Sequence, residues 1–299
     1  MSEDHRDTAR RNPRSRRVDG RHRQTGTVFY LTAGCLISAI FVVPLLWEVL
    51  RSFEPTQEIT SPPSLAIFSH LGIENYRSLL VGSDDVLRNV VNSLIVALAT
   101  AFLTTIIATL AGYGFGRFRF RGSGIVFAVV LIGFMVPFQA VLTPLFLELH
   151  DLHLLNSLVG LWLFYTAFNL PFGIYIMRNT FAQVPDELVD AARVDGASVL
   201  ATLTRVLRAI VMPGIATSFL FAFLFAWTEF LGALTFLTSS SVYTLPVALS
   251  NVETGTTYGG VNFGYLTAGA VIAMVPCVIV YASLQRFYVR GLLSGAVKG

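Results

Sequence analysis

The chain has 299 residues, of which 54% are hydrophobic and only 13% charged, with a formal net charge of +3 and a mean hydropathy of +0.65. A soluble domain carries about 25% charged residues, so this composition excludes a soluble globular protein and points to a membrane-embedded one. Its apolar runs are long and continuous, which excludes the ~10-residue alternating segments of a β-barrel.

Residues 1–27 hold eight Arg and few apolar side chains, which predicts a disordered tail. Positive-inside anchoring explains its charge with no nucleic-acid partner. Contact with membrane lipid would add about 1 kcal/mol per Arg near an anionic surface. Six charge-free windows follow, at 28–47, 89–116, 124–147, 154–177, 209–228 and 254–285. Each reaches the ~20 residues a helix needs to cross a ~30 Å hydrocarbon core. The first is longer than a signal-peptide apolar region of about 7–15 residues, and Leu45-Leu46-Trp47-Glu48-Val49-Leu50 offers no small-residue cleavage site, so it reads as an uncleaved span.

Basic residues set the orientation. All but Arg51, Arg77 and Arg88 of the 21 lie in the N-terminal tail, the 116–123 loop, the insert after the fourth window and the C-terminal tail. The prediction is an all-α, multi-pass inner-membrane protein of six transmembrane helices with both termini cytoplasmic. Its transmembrane domain spans 28–286, followed by a cytoplasmic tail at 287–299.

His150 and His153, beside Glu148 and Asp151, share one helical face at the outer mouth of the third window. That spacing could hold a metal or form an interfacial polar cluster, and no metal site is assigned. Cys35 and Cys277 lie inside windows and read as packing residues. The only lysine is Lys298, next to the last residue. A P-loop needs a Lys after Gly to reach the phosphates, so the chain carries no Walker A motif, and no cofactor-binding fingerprint or catalytic constellation is present. It is not expected to be an enzyme. Any ATP that drives it must be hydrolysed by another subunit.

The insert at about 178–212 is the obvious docking place. It contains Val184-Pro-Asp186-Glu187-Leu188-Val-Asp190-Ala191-Ala192-Arg-Val-Asp195-Gly196. This predicts a short helix on which Leu188, Ala191 and Ala192 share a face that a partner can approach closely, stopped by a turn at Gly196. Further on, Glu229 is the one carboxylate in a long apolar stretch, flanked by Trp227 and Phe230. An ionisable group inside a span costs about 2.5–3.5 kcal/mol on insertion scales, so it should face a cavity or a partner. Two readings stay open for it: hydrogen bonding in a cavity between the spans, or packing between subunits near the outer interface. Tyr165 and Asn169 are weaker candidates to line such a cavity.

The spacing of Asp190-Ala191-Ala192 and Gly196 resembles the EAA loop of ABC-importer permeases. Over 28–299 the chain resembles the carbohydrate-uptake permeases of the maltose-permease type. The resemblance is carried by Arg51-Ser-Phe-Glu-Pro55, Asn75-Tyr76, Asn92-Ser93, Ala111-Gly-Tyr-Gly-Phe-Gly-Arg-Phe-Arg-Phe-Arg-Gly122, Leu170-Pro-Phe-Gly-Ile-Tyr-Ile-Met-Arg178, Trp227-Thr-Glu-Phe-Leu231 and Gly295-Ala-Val-Lys-Gly299 in that order. It implies a second homologous permease, two cytoplasmic ATP-binding subunits, an extracytoplasmic sugar-binding protein and a sugar as substrate. It also implies that the EAA-type loop lies between helices four and five, with Asp186, Glu187, Leu188, Asp190, Ala191, Ala192, Asp195 and Gly196 facing the ATPase. The outer segments 51–88, 148–153 and 237–253 would receive the binding protein.

Two departures stand out: Asp190 replaces the usual Glu, and Arg208-Ala209 replace a Leu-Pro pair. Losing that Pro predicts a second arm running continuously to Pro213. Pro44, Pro137, Pro144, Pro171 and Pro276 are predicted kinks. The alternative is a stand-alone secondary transporter, which needs inverted repeats and midplane ion ligands; no such repeat is visible.

Overall fold

The computed structural model describes residues 15–59, 71–81, 85–254 and 262–296, and every regular element in them is helical. Parts of the two predicted tails, of the outer segment 51–88 and of the last predicted window lie outside the described residues. Helix α1 (Ser15–Arg51) begins inside the Arg-rich stretch and runs through the first predicted span. At its far end come α2 (Thr56–Ile59) and α3 (Glu74–Val81), then the long α4 (Val86–Arg117). Next are α5 (Ser123–Met135), α6 (Phe138–Asp151) and α7 (Leu158–Ala182). Helix α8 (Asp186–Val194) and the single turn α9 (Val199–Ala201) lead through a π-helical turn, Thr202–Val206, into α10 (Arg208–Thr228). The short α11 (Leu231–Phe236) and α12 (Leu245–Thr254) precede α13 (Phe263–Ala296).

Among the described residues, five helical stretches are long and apolar enough to cross a membrane: Tyr30–Arg51, Val86–Arg117, Leu158–Ala182, Arg208–Thr228 and Phe263–Phe287. The third predicted span needs correction. It is not one helix but α5 and α6 meeting at 96°. Pro137 has no N–H to continue the ladder and holds Val136 extended (φ −71°, ψ 122°), so α5 stops there and α6 restarts. Pro44, Pro144, Pro171 and Pro276 instead lie inside continuous helices.

The second arm is also corrected. It does not run as a regular helix to Pro213 but passes through the π turn, where the Leu207 N–H donates to the Thr202 carbonyl at 2.9 Å. Thr202 and Thr204 hydroxyls donate to the carbonyls of Ser198 (3.0 Å) and Leu200 (2.7 Å). Such back-bonding competes with the ladder and bends helices.

Helices α4, α7 and α10 form the centre of the bundle. Close approach of α4 to α7 depends on Gly112 and Gly116: a Cβ on Gly116 would sit 2.9 Å from the Phe181 Cβ. Small residues one turn apart let two helix backbones touch where no hydrophobic force acts between lipid-embedded helices. The core divides into two clusters. One holds Tyr165, Phe223, Trp227, Phe236 and Leu245; the other, toward α8, holds Tyr113, Met177, Phe181, Val189 and Leu207. None of the described side chains between Tyr30 and Leu50 of α1 is buried.

At the end opposite α8, two separated motifs meet. Arg51 pairs with Glu54 at 2.8 Å, and the Asn75 amide donates to the carbonyls of Ser52 (2.9 Å) and Glu54 (2.8 Å). Ser52 and Tyr76 hydroxyls lie 2.6 Å apart. These bonds tie the end of α1 to α3.

Candidate functional site

Helix α8 forms because its ends are well terminated. Asp186 and Glu187 occupy the first turn, where acidic charge complements the exposed amides, and Arg193 lies in the last. At the C-terminus Gly196 takes φ +74°, a left-handed conformation that glycine adopts without strain. The Ala197 N–H returns to the Ala192 carbonyl at 2.9 Å and the Gly196 N–H to the Arg193 carbonyl at 3.0 Å, closing a Schellman motif.

The expected shared face of Leu188, Ala191 and Ala192 is corrected. Val189 is buried in the cluster holding Phe181, Val184, Leu203 and Leu207, and Ala192 is buried three residues further along α8. The stripe beside them faces out, with Glu187, Leu188, Ala191, Asp195 and Val194 exposed. Val194 is 87% exposed, and Val199 and Leu200 beyond the turn add 53% and 65%. A helix that buries one stripe and leaves apolar side chains on another retains surface for a partner.

Arg117, at the end of α4, reaches the start of α8. It donates to the carbonyls of Val184 (2.9 Å) and Pro185 (3.4 Å) and pairs with Asp186 at 2.8 Å. In the sequence this residue registers only as one basic charge among three in the 116–123 loop, and no spacing marks its partners. A cleft of about 600 Å³ opens between α8 and residues 115–123. Among the described residues, Asp190 bonds only within α8, to Arg193 at 3.2 Å.

The second candidate lies where two spans break. Glu229 leaves the helical conformation (φ −68°, ψ 131°) and ends α10. Its carboxylate accepts from the Gly232 N–H at 2.9 Å and the Ala233 N–H at 3.2 Å, capping α11, and from the Tyr165 hydroxyl. Tyr165 is fully buried. The structure therefore joins Tyr165 to Glu229. Asn169 follows one turn along α7 and donates to the Tyr165 carbonyl at 2.8 Å.

Trp227 is not part of this group. It stacks on Phe223 and donates its indole N–H to the Ala273 carbonyl of α13 at 3.0 Å. Sequence reasoning missed Phe138 and Gly232. Phe138, the first residue of α6, packs on Phe164, Phe168 and Phe225. A Cβ on Gly232 would lie 3.1 Å from the Phe138 ring, so the α5–α6 and α10–α11 breaks meet beside Tyr165.

His150 and His153 are exposed, with His150 3.3 Å from the Asp151 carboxylate. No group of three or more His, Cys, Asp or Glu that could hold a metal occurs among the described residues.

Comparison with known proteins places these features in context. Residues 105–294 match the family described as binding-protein-dependent transport system inner membrane component. The chain is 35% identical over 269 residues to the osmoprotective compounds uptake permease protein GgtD of Synechocystis sp., covering 88% of this chain and 89% of that one. It is 30% identical over 280 residues to the arabinooligosaccharides transport system permease protein AraQ of Bacillus subtilis, covering 91% and 95%. Its fold is similar to a chain of a bacterial ABC transporter involved in the import of the acidic polysaccharide alginate. That match has a TM-score of 0.73 at 20% identity and covers 89% of this chain and 97% of the other.

Proposed function

This chain belongs to the family of binding-protein-dependent transport system inner membrane components, and on that premise we propose that it is the permease subunit of an ATP-driven importer for a sugar, a disaccharide or an oligosaccharide. The observation that carries the substrate class is the similarity to an arabinooligosaccharide permease over 91% of this chain. The chain forms half of the translocation pathway, and a homologous permease forms the other half. Two ATP-binding subunits lie in the cytoplasm, and a sugar-binding protein docks outside.

Orientation in this reading follows the basic residues: both termini and the α8 end are cytoplasmic. The insert 178–212 is then the EAA-type coupling loop between the fourth and fifth spans. Its contact with the ATPase is the outward stripe of α8, with Leu188, Ala191 and Val194 at its centre, flanked by Asp186, Glu187, Asp190 and Asp195. Ala192 supports that stripe from behind, and Gly196 sets the turn. ATPase closure would push α8 and tilt the spans packed on it, a rigid-body transition. On the pathway side, Glu229 and Tyr165 hold the paired helix breaks together, with Asn169 alongside. Trp227 braces α10 against α13.

A stand-alone secondary transporter is not favoured, since the relatives are permease components of transport systems. The test is reconstitution in liposomes. The purified chain alone should neither hydrolyse ATP nor take up labelled arabinotriose or maltose under a proton or sodium gradient. Uptake should require the ATP-binding subunits, ATP and a loaded binding protein. Ion-driven uptake by the isolated chain would refute the reading.

A further inference from the structure

We propose that Arg117 is a positioning residue that makes α8 and the end of α4 move as one body, so that displacement of α8 reaches the membrane through α4. The proposal rests on the reading of α8 as the ATPase contact and names the element that carries its motion onward.

Arg117 is unusual among the basic residues of this end of the chain. Its side chain is 7% exposed, whereas its carboxylate partner Asp186 is 81% exposed. A buried guanidinium has to be matched by acceptors, and here they all come from the junction between α7 and α8: the carbonyls of Val184 and Pro185 and the carboxylate of Asp186. Among the described residues, Arg117 takes part in every side-chain hydrogen bond and ion pair that ties Val184, Pro185 or the first turn of α8 to another span. Helix α8 is otherwise flanked by turns, at Gln183–Pro185 and at Asp195–Gly196. Without Arg117, its N-terminal end would be held by apolar packing alone, through the buried Val184 and Val189.

The location also suits a cation. The C-termini of α4 and α7 converge here, because Gly116 brings α4 against Phe181, the residue before the last of α7. Helix C-termini present carbonyls and partial negative charge, so Arg117 sits at two favourable ends. A planar guanidinium can donate to two carbonyls and a carboxylate at once, whereas the ammonium of a lysine acts as a compact point charge. Neighbouring Arg119 and Arg121 are exposed, and no hydrogen bond or ion pair is present for either among the described residues.

The experiment uses the complete complex with its ATP-binding subunits in nanodiscs. Spin labels are placed at Leu110 within α4 and at Arg193 of α8, both exposed and both outside the stripe assigned to the ATPase. Distances are read by pulsed electron paramagnetic resonance, without nucleotide and after trapping with ATP and vanadate. With Arg117 present, the distribution should be narrow and unchanged by trapping, because both labels move together. Arg117→Met should broaden it and make its mean shift on trapping. Arg117→Lys should fall between, and Arg121→Met should match the wild type. Asp186→Asn removes the ion pair and leaves both carbonyl bonds of Arg117 in place; it serves if Arg117→Met does not fold, and should broaden the distribution less.

A distribution unchanged by both Arg117→Met and Asp186→Asn overturns the proposal, as does a wild-type distance that shifts on trapping. Loss of the α8 contact with the ATPase is a separate outcome, read from co-purification of the ATP-binding subunit with the unmutated chain. If that subunit is absent, the docking reading fails, while broadening by Arg117→Met in the chain alone still decides whether Arg117 fixes α8 to α4.

Discussion

Replacing Glu229 with Leu should open α11 without unfolding the bundle. The carboxylate caps two amides, Gly232 and Ala233, and accepts the hydroxyl of a tyrosine with no exposed surface. Loss of a capping side chain costs about 1 kcal/mol. Leaving a buried hydroxyl without its acceptor costs about 1–3 kcal/mol more. Their sum, about 2–4 kcal/mol, corresponds to a roughly 30- to 700-fold larger population of the locally opened state, at tenfold per 1.4 kcal/mol. Amide hydrogen exchange reports that population directly for segments that open locally. Peptides covering 229–236, followed by mass spectrometry in nanodiscs, should exchange at least ~30-fold faster in Glu229→Leu, by the same conversion. Glu229→Gln keeps a carbonyl acceptor and should accelerate exchange by less than about tenfold. Wild-type protection in the Leu variant would show that the carboxylate does not hold α11.

Gly116→Leu should destabilise the chain by about 1–3 kcal/mol through overpacking, since its Cβ would meet Phe181 and the Arg178 carbonyl at 2.9 and 3.1 Å. Gly114→Leu, with nothing within 4 Å of its Cβ, is the control; equal losses of thermal midpoint would remove the close-approach argument. Gly196→Ala and Gly196→Trp should each carry the ~1–2 kcal/mol strain of a left-handed L-residue, because the space around Gly196 is open. Only the Trp variant should fail to co-purify with the ATP-binding subunit. Retention by both variants would remove Gly196 from the docking surface.

Local features were the legible ones. The short helix of the insert and its stop at Gly196 could be read because they depend on neighbouring residues: acids in the first turn and a glycine able to take φ +74°. The apolar windows likewise located the spans. What escaped depended on distant partners. Pro137 looks no different in sequence from Pro144, Pro171 or Pro276, yet it alone among them marks a 96° break. The chain is held there by Phe138 packing on α7 and α10. Isolation among apolar residues made Glu229 conspicuous, but its capping role requires knowing that α10 ends at Thr228 and α11 starts at Leu231. Arg117 bonds to a carbonyl 67 residues away, which no spacing rule reveals. The split of Ala191 and Ala192 between two faces followed from which stripe of α8 the π turn and the end of α7 cover.

Site-specific photocrosslinking in membranes containing all subunits puts the docking assignment to the most direct trial. A photoreactive residue at Val194, 87% exposed on the outward stripe of α8, should yield an adduct between this chain and the ATP-binding subunit. The same probe at Ser240, exposed at the opposite end, should yield none with that subunit. An adduct from Ser240, or none from Val194 in a complex that still hydrolyses ATP, would overturn the assignment of α8 as the coupling element.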